Sequence, residues 1–184
     1  MTTVLILTIA GVVVAAAGLI GRAYVKYRGK RLVGCPETSQ PAAVDVDAWH
    51  AALTGVVGKP TLRLASCSRW PARHDCGQQC LRQIEQSPEG CLVRTLLTEW
   101  YAGKQCVLCG RDLGHIDWIE HKPALMTPGN ITVQWDGIDV VKLDEVLVSH
   151  KPVCWNCHVA ETFRRERPDL VIDNPWETAT RKRA

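Results

Sequence analysis

The sequence predicts an α+β protein: a single N-terminal transmembrane helix followed by a small cysteine-rich domain of helices, short strands and metal-stapled loops. Three observations carry this. Residues 1 to 21 hold no charged side chain. Behind them stand Arg22, Lys26, Arg28, Lys30 and Arg31, with no acid among them. Nine cysteines follow in a chain of 184 residues, and four of them form two couples, Cys106-Val-Leu-Cys109-Gly110 and Cys154-Trp-Asn-Cys157-His158.

The membrane segment comes first. Val4 to Ile20 is an almost unbroken run of Val, Leu, Ile, Ala and Gly. At about 1.5 Å per residue, about 18 to 20 helical residues nearly cross a hydrocarbon core of about 30 Å. Cations directly behind the run predict an outside N-terminus and a cytoplasmic C-terminal body. Tyr24 and Tyr27 fit an interfacial aromatic belt, and the basic residues suit contact with anionic lipid headgroups. The competing reading is export, with Ala15-Ala16-Ala17 as a small-residue cleavage site. A secretory signal carries its positive charge ahead of the apolar run, however, and Met1-Thr2-Thr3 supplies only the terminal amine.

About 150 residues remain, enough for one ordinary domain or two small stapled ones. The organisation expected is an anchor over 1–21, a basic juxtamembrane stalk and linker over 22–43, a helical cysteine-rich region over 44–103, a metal-binding domain over 104–167 and a polar tail over 168–184. Val33 to Ala43, with Gly34, Cys35 and two prolines, reads as linker. Val44 to Val57 reads as a helix capped by Asp45 or Asp47 and stopped at Gly58-Lys59-Pro60. Further helices are expected over Gln78–Gln86 and around Leu92 to Trp100. Ile131 to Trp135 alternates like a strand, Leu143 to Val148 suits a short helix, and Val159 to Arg167 suits a helix stopped by Pro168. The net charge of +3 arises mainly from the stalk, from Arg164, Arg165 and Arg167, and from the terminal Arg181-Lys182-Arg183. That leaves the middle near neutral and makes no strong case for nucleic acid.

The two couples are separated by 44 residues of strand character. Two opposed C-x2-C hooks are a standard way to hold one tetrahedral ion, and Cys106, Cys109, Cys154 and Cys157 are the predicted zinc ligands. Gly110 supplies the positive backbone angle that a knuckle needs after its second cysteine. A C-x2-C-G turn, strands, and a C-x2-C opening a helix together resemble the treble-clef zinc fold over residues 104 to 167. Four thiolates leave no open coordination position, so the resemblance implies a structural site. The second couple also spells C-x-x-C-H, the attachment sequence for c-type haem, with Cys154, Cys157 and His158 as its residues and Met126, His121 or His150 as the second axial ligand. That reading requires export and leaves Cys106 and Cys109 without a role.

Glu120-His121-Lys122-Pro123, Asn130 and His158 are distantly similar to the HNH endonuclease arrangement, a treble-clef variant. The similarity implies His121 as general base, Asn130 as orienting residue and His158 as ligand to a catalytic metal. The long gap from His121 to Cys154, the missing Asp-His pair and the tether depart from that family. Packing and hydrogen bonding near Trp118 is the plainer expectation for His115 and His121.

A second group, Cys67, Cys76, Cys80 and Cys91, is spaced by 8, 3 and 10 residues. In a reducing compartment it suggests a second metal centre, zinc or an iron–sulfur cluster, with His74 able to replace one thiolate; after export it would form disulfides. Buried packing cysteines are the alternative. Cys35 stands alone in the expected linker. Seven tryptophans against one phenylalanine suggest that Trp70, Trp118 and Trp155 wall in the metal sites, while Trp176 in the tail suits docking on another subunit. No convincing nucleophile or phosphate-binding loop is present. The expectation is a non-enzymatic, membrane-anchored zinc scaffold that contacts lipid and another protein subunit. An electron carrier and a metal-dependent hydrolase are the alternatives.

Overall fold

The computed structural model describes residues 1–70, 72 and 75–171. The readings placed on His74, Trp176 and the terminal basic run lie outside them. The chain forms two compact units, Met1–Glu99 with Asp139–Lys142, and Trp100–Ile138 with Leu143 onward.

In the first unit, helix α1 spans Thr2–Tyr27, about 39 Å at the usual rise per residue. Its apolar window is long enough to cross a membrane and none of it is buried within the protein. The helix continues past the expected anchor into the first residues of the expected stalk and stops at Tyr27. Gly29, at φ +99°, then turns the chain in a backbone region open to glycine. Arg31 is fully buried. Its Nη1 donates to the carbonyls of Tyr27 at 2.6 Å and Gly29 at 2.8 Å, and its Nη2 donates to Lys26 at 2.8 Å. One guanidinium thus serves carbonyls that the end of a helix leaves without partners. Burial lowers the Arg31 pKa, while Cys91, Asp45 and Tyr27 oppose that shift.

The expected linker is instead a β-hairpin. Strands β1 (Lys30–Cys35) and β2 (Gln40–Val46) pair antiparallel, and β3 (Leu64–Cys67) joins the other side of β2. Val33 from β1, with Ala42, Val44 and Val46 from β2, is buried, the alternation expected of a strand with one covered face. The helix expected from Val44 therefore begins later, as α2, Ala48–Thr54, because Val44 and Val46 belong to the sheet. Asp47 caps it by accepting the His50 amide. Helix α3 covers Leu81–Gln86, starting three residues later than expected. Ile84 from α3 and Ala51 from α2 are fully buried in the same core as the strands.

The second unit begins with the last turn of α4, Val93–Tyr101. Strands β4 (Ala124–Met126), β5 (Thr132–Val133) and β6 (Lys151–Val153) form an antiparallel sheet in the order β5-β4-β6. Helix α5 is Leu143–Ser149 and α6 is Trp155–Glu166. The strand expected over Ile131 to Trp135 is shorter, because Trp135–Gly137 turns as a 3-10 helix. Tyr101, Ala124, Leu125 and Val153 are fully buried at the centre, and the Tyr101 hydroxyl donates to the Ala124 carbonyl at 2.6 Å.

Candidate metal centre

Each hook is built by its local backbone. Cys106 donates its amide to the Arg111 carbonyl at 2.8 Å, and Gly110 returns a bond to the Cys106 carbonyl at 2.8 Å. Gly110 sits at φ +70°, so the chain folds back tightly with both thiols on one side. On the other hook, Cys154 caps α6 in an extended conformation, and the His158 amide bonds its carbonyl at 3.0 Å. Helix α6 starts earlier than Val159, and Cys157 lies in its first turn. The hooks meet because the Val107 amide donates to the Pro152 carbonyl at 3.0 Å. This ties the knuckle to β6, two residues before Cys154.

The four sulfurs lie within 4.8 Å of one another, and Cys109 Sγ stands 3.7 Å from Cys154 Sγ. A tetrahedron with metal–sulfur bonds of about 2.3 Å has sulfur–sulfur edges of about 3.8 Å. The set therefore has the size of a single-ion site. Cys106 and Cys154 are buried, Cys157 is half-buried and Cys109 is exposed.

The surroundings of the thiols act on them in opposite directions. Burial disfavours ionisation of Cys106, but amides of Cys154, Cys109 and Leu108 aimed at its sulfur bring its pKa down to about 7. Burial and the neighbouring sulfurs push Cys157 far up, and burial raises Cys154. Four thiolates packed this closely repel one another, and a divalent cation offsets that repulsion.

The structure separates the other candidates. His158 is buried, with Nδ1 2.9 Å from Thr132 Oγ1, and burial lowers its pKa. Thr132 was not singled out in the sequence; its only signal was a polar residue inside the alternation of Ile131-Thr132-Val133. His121 is exposed and lies 3.7 Å from Asp117, with Glu120 close by. Asn130 holds the β4–β5 turn at φ +59°, its amide bonded to Thr127. Met126 lies in β4, and His150 Nδ1 pairs with Ser149 Oγ at 2.9 Å. Arg111, His115, Asp117, His121, Cys154 and Trp155 line part of an open cavity of about 260 Å³.

Upstream, Cys80 is buried, and burial first, then the thiols of Cys67, Cys76 and Cys35, raise its own thiol to about 11. Cys91 lies next to Arg31, 3.9 Å from the Gln83 carbonyl, and packs against the same core as Cys35 and Cys67. Comparison with family models, curated proteins and solved structures gave no match.

Proposed function

We propose that this chain is a single-pass membrane protein whose C-terminal unit is a treble-clef-like domain closed around structural zinc, and that it assembles a partner protein at the cytoplasmic face of the membrane. The observation that carries the reading is the four-sulfur set of Cys106, Cys109, Cys154 and Cys157 at single-ion spacing. Four protein ligands fill the tetrahedron, which is the mark of a structural site. A structural zinc supplies on the order of 10 kcal/mol or more of apparent binding energy, comparable to the stability of a small domain. Here it would couple the knuckle and α6 across a sheet of very short strands.

The membrane assignment draws on more than the apolar helix. Trp49 of α2 packs against Tyr24 near the end of α1, ring centroids 4.8 Å apart. Trp49 is still 59% exposed, Leu53 one turn on is 58% exposed, and Val57 is 93% exposed. An apolar patch beside the end of a membrane helix suits the headgroup boundary, where tryptophan is favoured. Arg22, Lys26, Arg28 and Lys30 remain exposed for lipid. Arg31 is withdrawn from that role by its carbonyl contacts.

The test is metal analysis of the full chain purified in detergent, with topology read from a C-terminal reporter. One zinc per chain, lost in Cys109→Ala, together with a cytoplasmic reporter, is the expected result. A Cys109→Ala protein with unchanged metal content and folding would sink the proposal.

A further inference from the structure

The fold brings three cations from distant parts of the chain to one cavity. Arg28 and Lys30 flank Gly29 just past the end of α1, and Arg94 lies in the first turn of α4. These three, with Gly29, Leu92 and Val93, line an open cavity of about 240 Å³ within the first unit. The backbone holds them there, because Arg31 and Leu92 form a β-bridge and the Leu32 amide donates to the Cys91 carbonyl at 2.9 Å. Arg31 itself turns to the carbonyls of Lys26, Tyr27 and Gly29, so it fixes the junction and leaves the cavity to its neighbours. Gly29 keeps the space open, since a Cβ there would stand 3.2 Å from Leu92 Cδ1.

The positive charge of this cavity is uncompensated. Arg28, Lys30 and Arg94 are exposed, and among the described residues none of them forms an ion pair with a carboxylate. Asp45 stands opposite Lys30 across the hairpin, but its Oδ2 accepts from Ser66 Oγ at 2.8 Å. Helix α4 contributes the same sign: its first turn holds no acid, and Leu92, the residue before it, has no side-chain oxygen to cap the amides. Leu92 and Val93 are half-buried, so a basic rim surrounds an apolar floor. A small inorganic anion uses only the rim. An anionic amphiphile uses both.

The position of the cavity along α1 selects the same ligand. Residues 2–21 hold no charge and as a helix span about 30 Å, the thickness of a hydrocarbon core. Arg22 to Tyr27 carry the chain about 9 Å further, into the headgroup layer, and Arg28 and Lys30 follow at that depth. We propose that this cavity binds the phosphate of one anionic phospholipid, with Arg28, Lys30 and Arg94 around the headgroup and Leu92 and Val93 against its glycerol end, an inference that rests on the membrane reading of α1.

The experiment titrates the full chain, in a neutral detergent, with dioleoyl phosphatidylglycerol, dioleoyl phosphatidylcholine and inorganic phosphate, and counts bound molecules by native mass spectrometry. One phosphatidylglycerol per chain, preferred over phosphatidylcholine and not displaced by millimolar phosphate, is the expected result. Arg28→Gln, Lys30→Gln and Arg94→Gln should each weaken binding about fivefold, the share of one basic residue at an anionic surface. Arg82→Gln, which removes an exposed cation of α3 outside the cavity, should leave it unchanged. Unchanged thermal midpoints show that the variants fold. An equal loss in Arg82→Gln, or an Arg94→Gln chain that binds as the parent does, reduces the effect to general basicity and overturns the site. Displacement by phosphate assigns the cavity to a free anion and overturns the lipid. A chain recovered in solution without detergent overturns the anchor and this site together, whereas a membrane-bound chain with unselective binding overturns the site alone.

Discussion

Replacing Arg31 by alanine should loosen the junction between α1 and the rest of the first unit. The side chain is fully buried and makes three hydrogen bonds of 2.6 to 2.8 Å to the carbonyls of Lys26, Tyr27 and Gly29. Hydrogen bonds from a charged donor contribute about 1.5 to 3 kcal/mol each, so the gross interaction is about 5 to 9 kcal/mol. Burying a guanidinium opposes part of that, leaving an expected loss of about 3 to 5 kcal/mol on truncation. This is a large fraction of the roughly 5 to 15 kcal/mol that a domain has. Lysine has the charge but not the planar fork that reaches separate carbonyls, so Arg31→Lys should recover less than about half the loss. Urea unfolding of the full chain in detergent, followed by tryptophan fluorescence, measures both. A loss below about 1 kcal/mol for alanine, or lysine equal to arginine, would refute the capping argument.

Tyr101→Phe leaves the buried Ala124 carbonyl without its 2.6 Å partner and should cost about 1 to 3 kcal/mol; an unchanged thermal midpoint would contradict this. Asp47 accepts the His50 amide and pairs with Arg63, causes that hold its carboxyl below the ordinary 3.8. Its folded pKa is depressed, so its contribution is present above that ordinary value and is lost as pH falls through the folded one. The deficit of Asp47→Ala relative to the parent should therefore be full at neutral pH and shrink below about pH 3.8. Denaturant midpoints across that range check it, and a deficit independent of pH would count against the carboxylate's role.

What could be read from the sequence depended on how local the cause was. Each C-x2-C couple announces itself, because a knuckle or a helix start places two thiols together with little help from the rest of the chain. The apolar run of α1 is equally local. The β1–β2 hairpin was hidden because Pro36, Ser39 and Pro41 resemble a linker, and Ala42 is too small to mark a buried strand position plainly. Arg31 was counted with the lipid-facing cations, since a sequence cannot show which of five basic side chains turns back to cap the helix before it. Thr132, the partner of His158, depends on α6 lying against β5, a contact across 26 residues.

The central claim is that Cys106, Cys109, Cys154 and Cys157 hold one zinc ion. X-ray absorption at the zinc edge of the full chain in detergent addresses it directly. Four sulfur scatterers at about 2.3 Å are predicted, with no nitrogen or oxygen in the shell. Zinc absent from the purified protein, or a shell with fewer than four sulfurs, would contradict it.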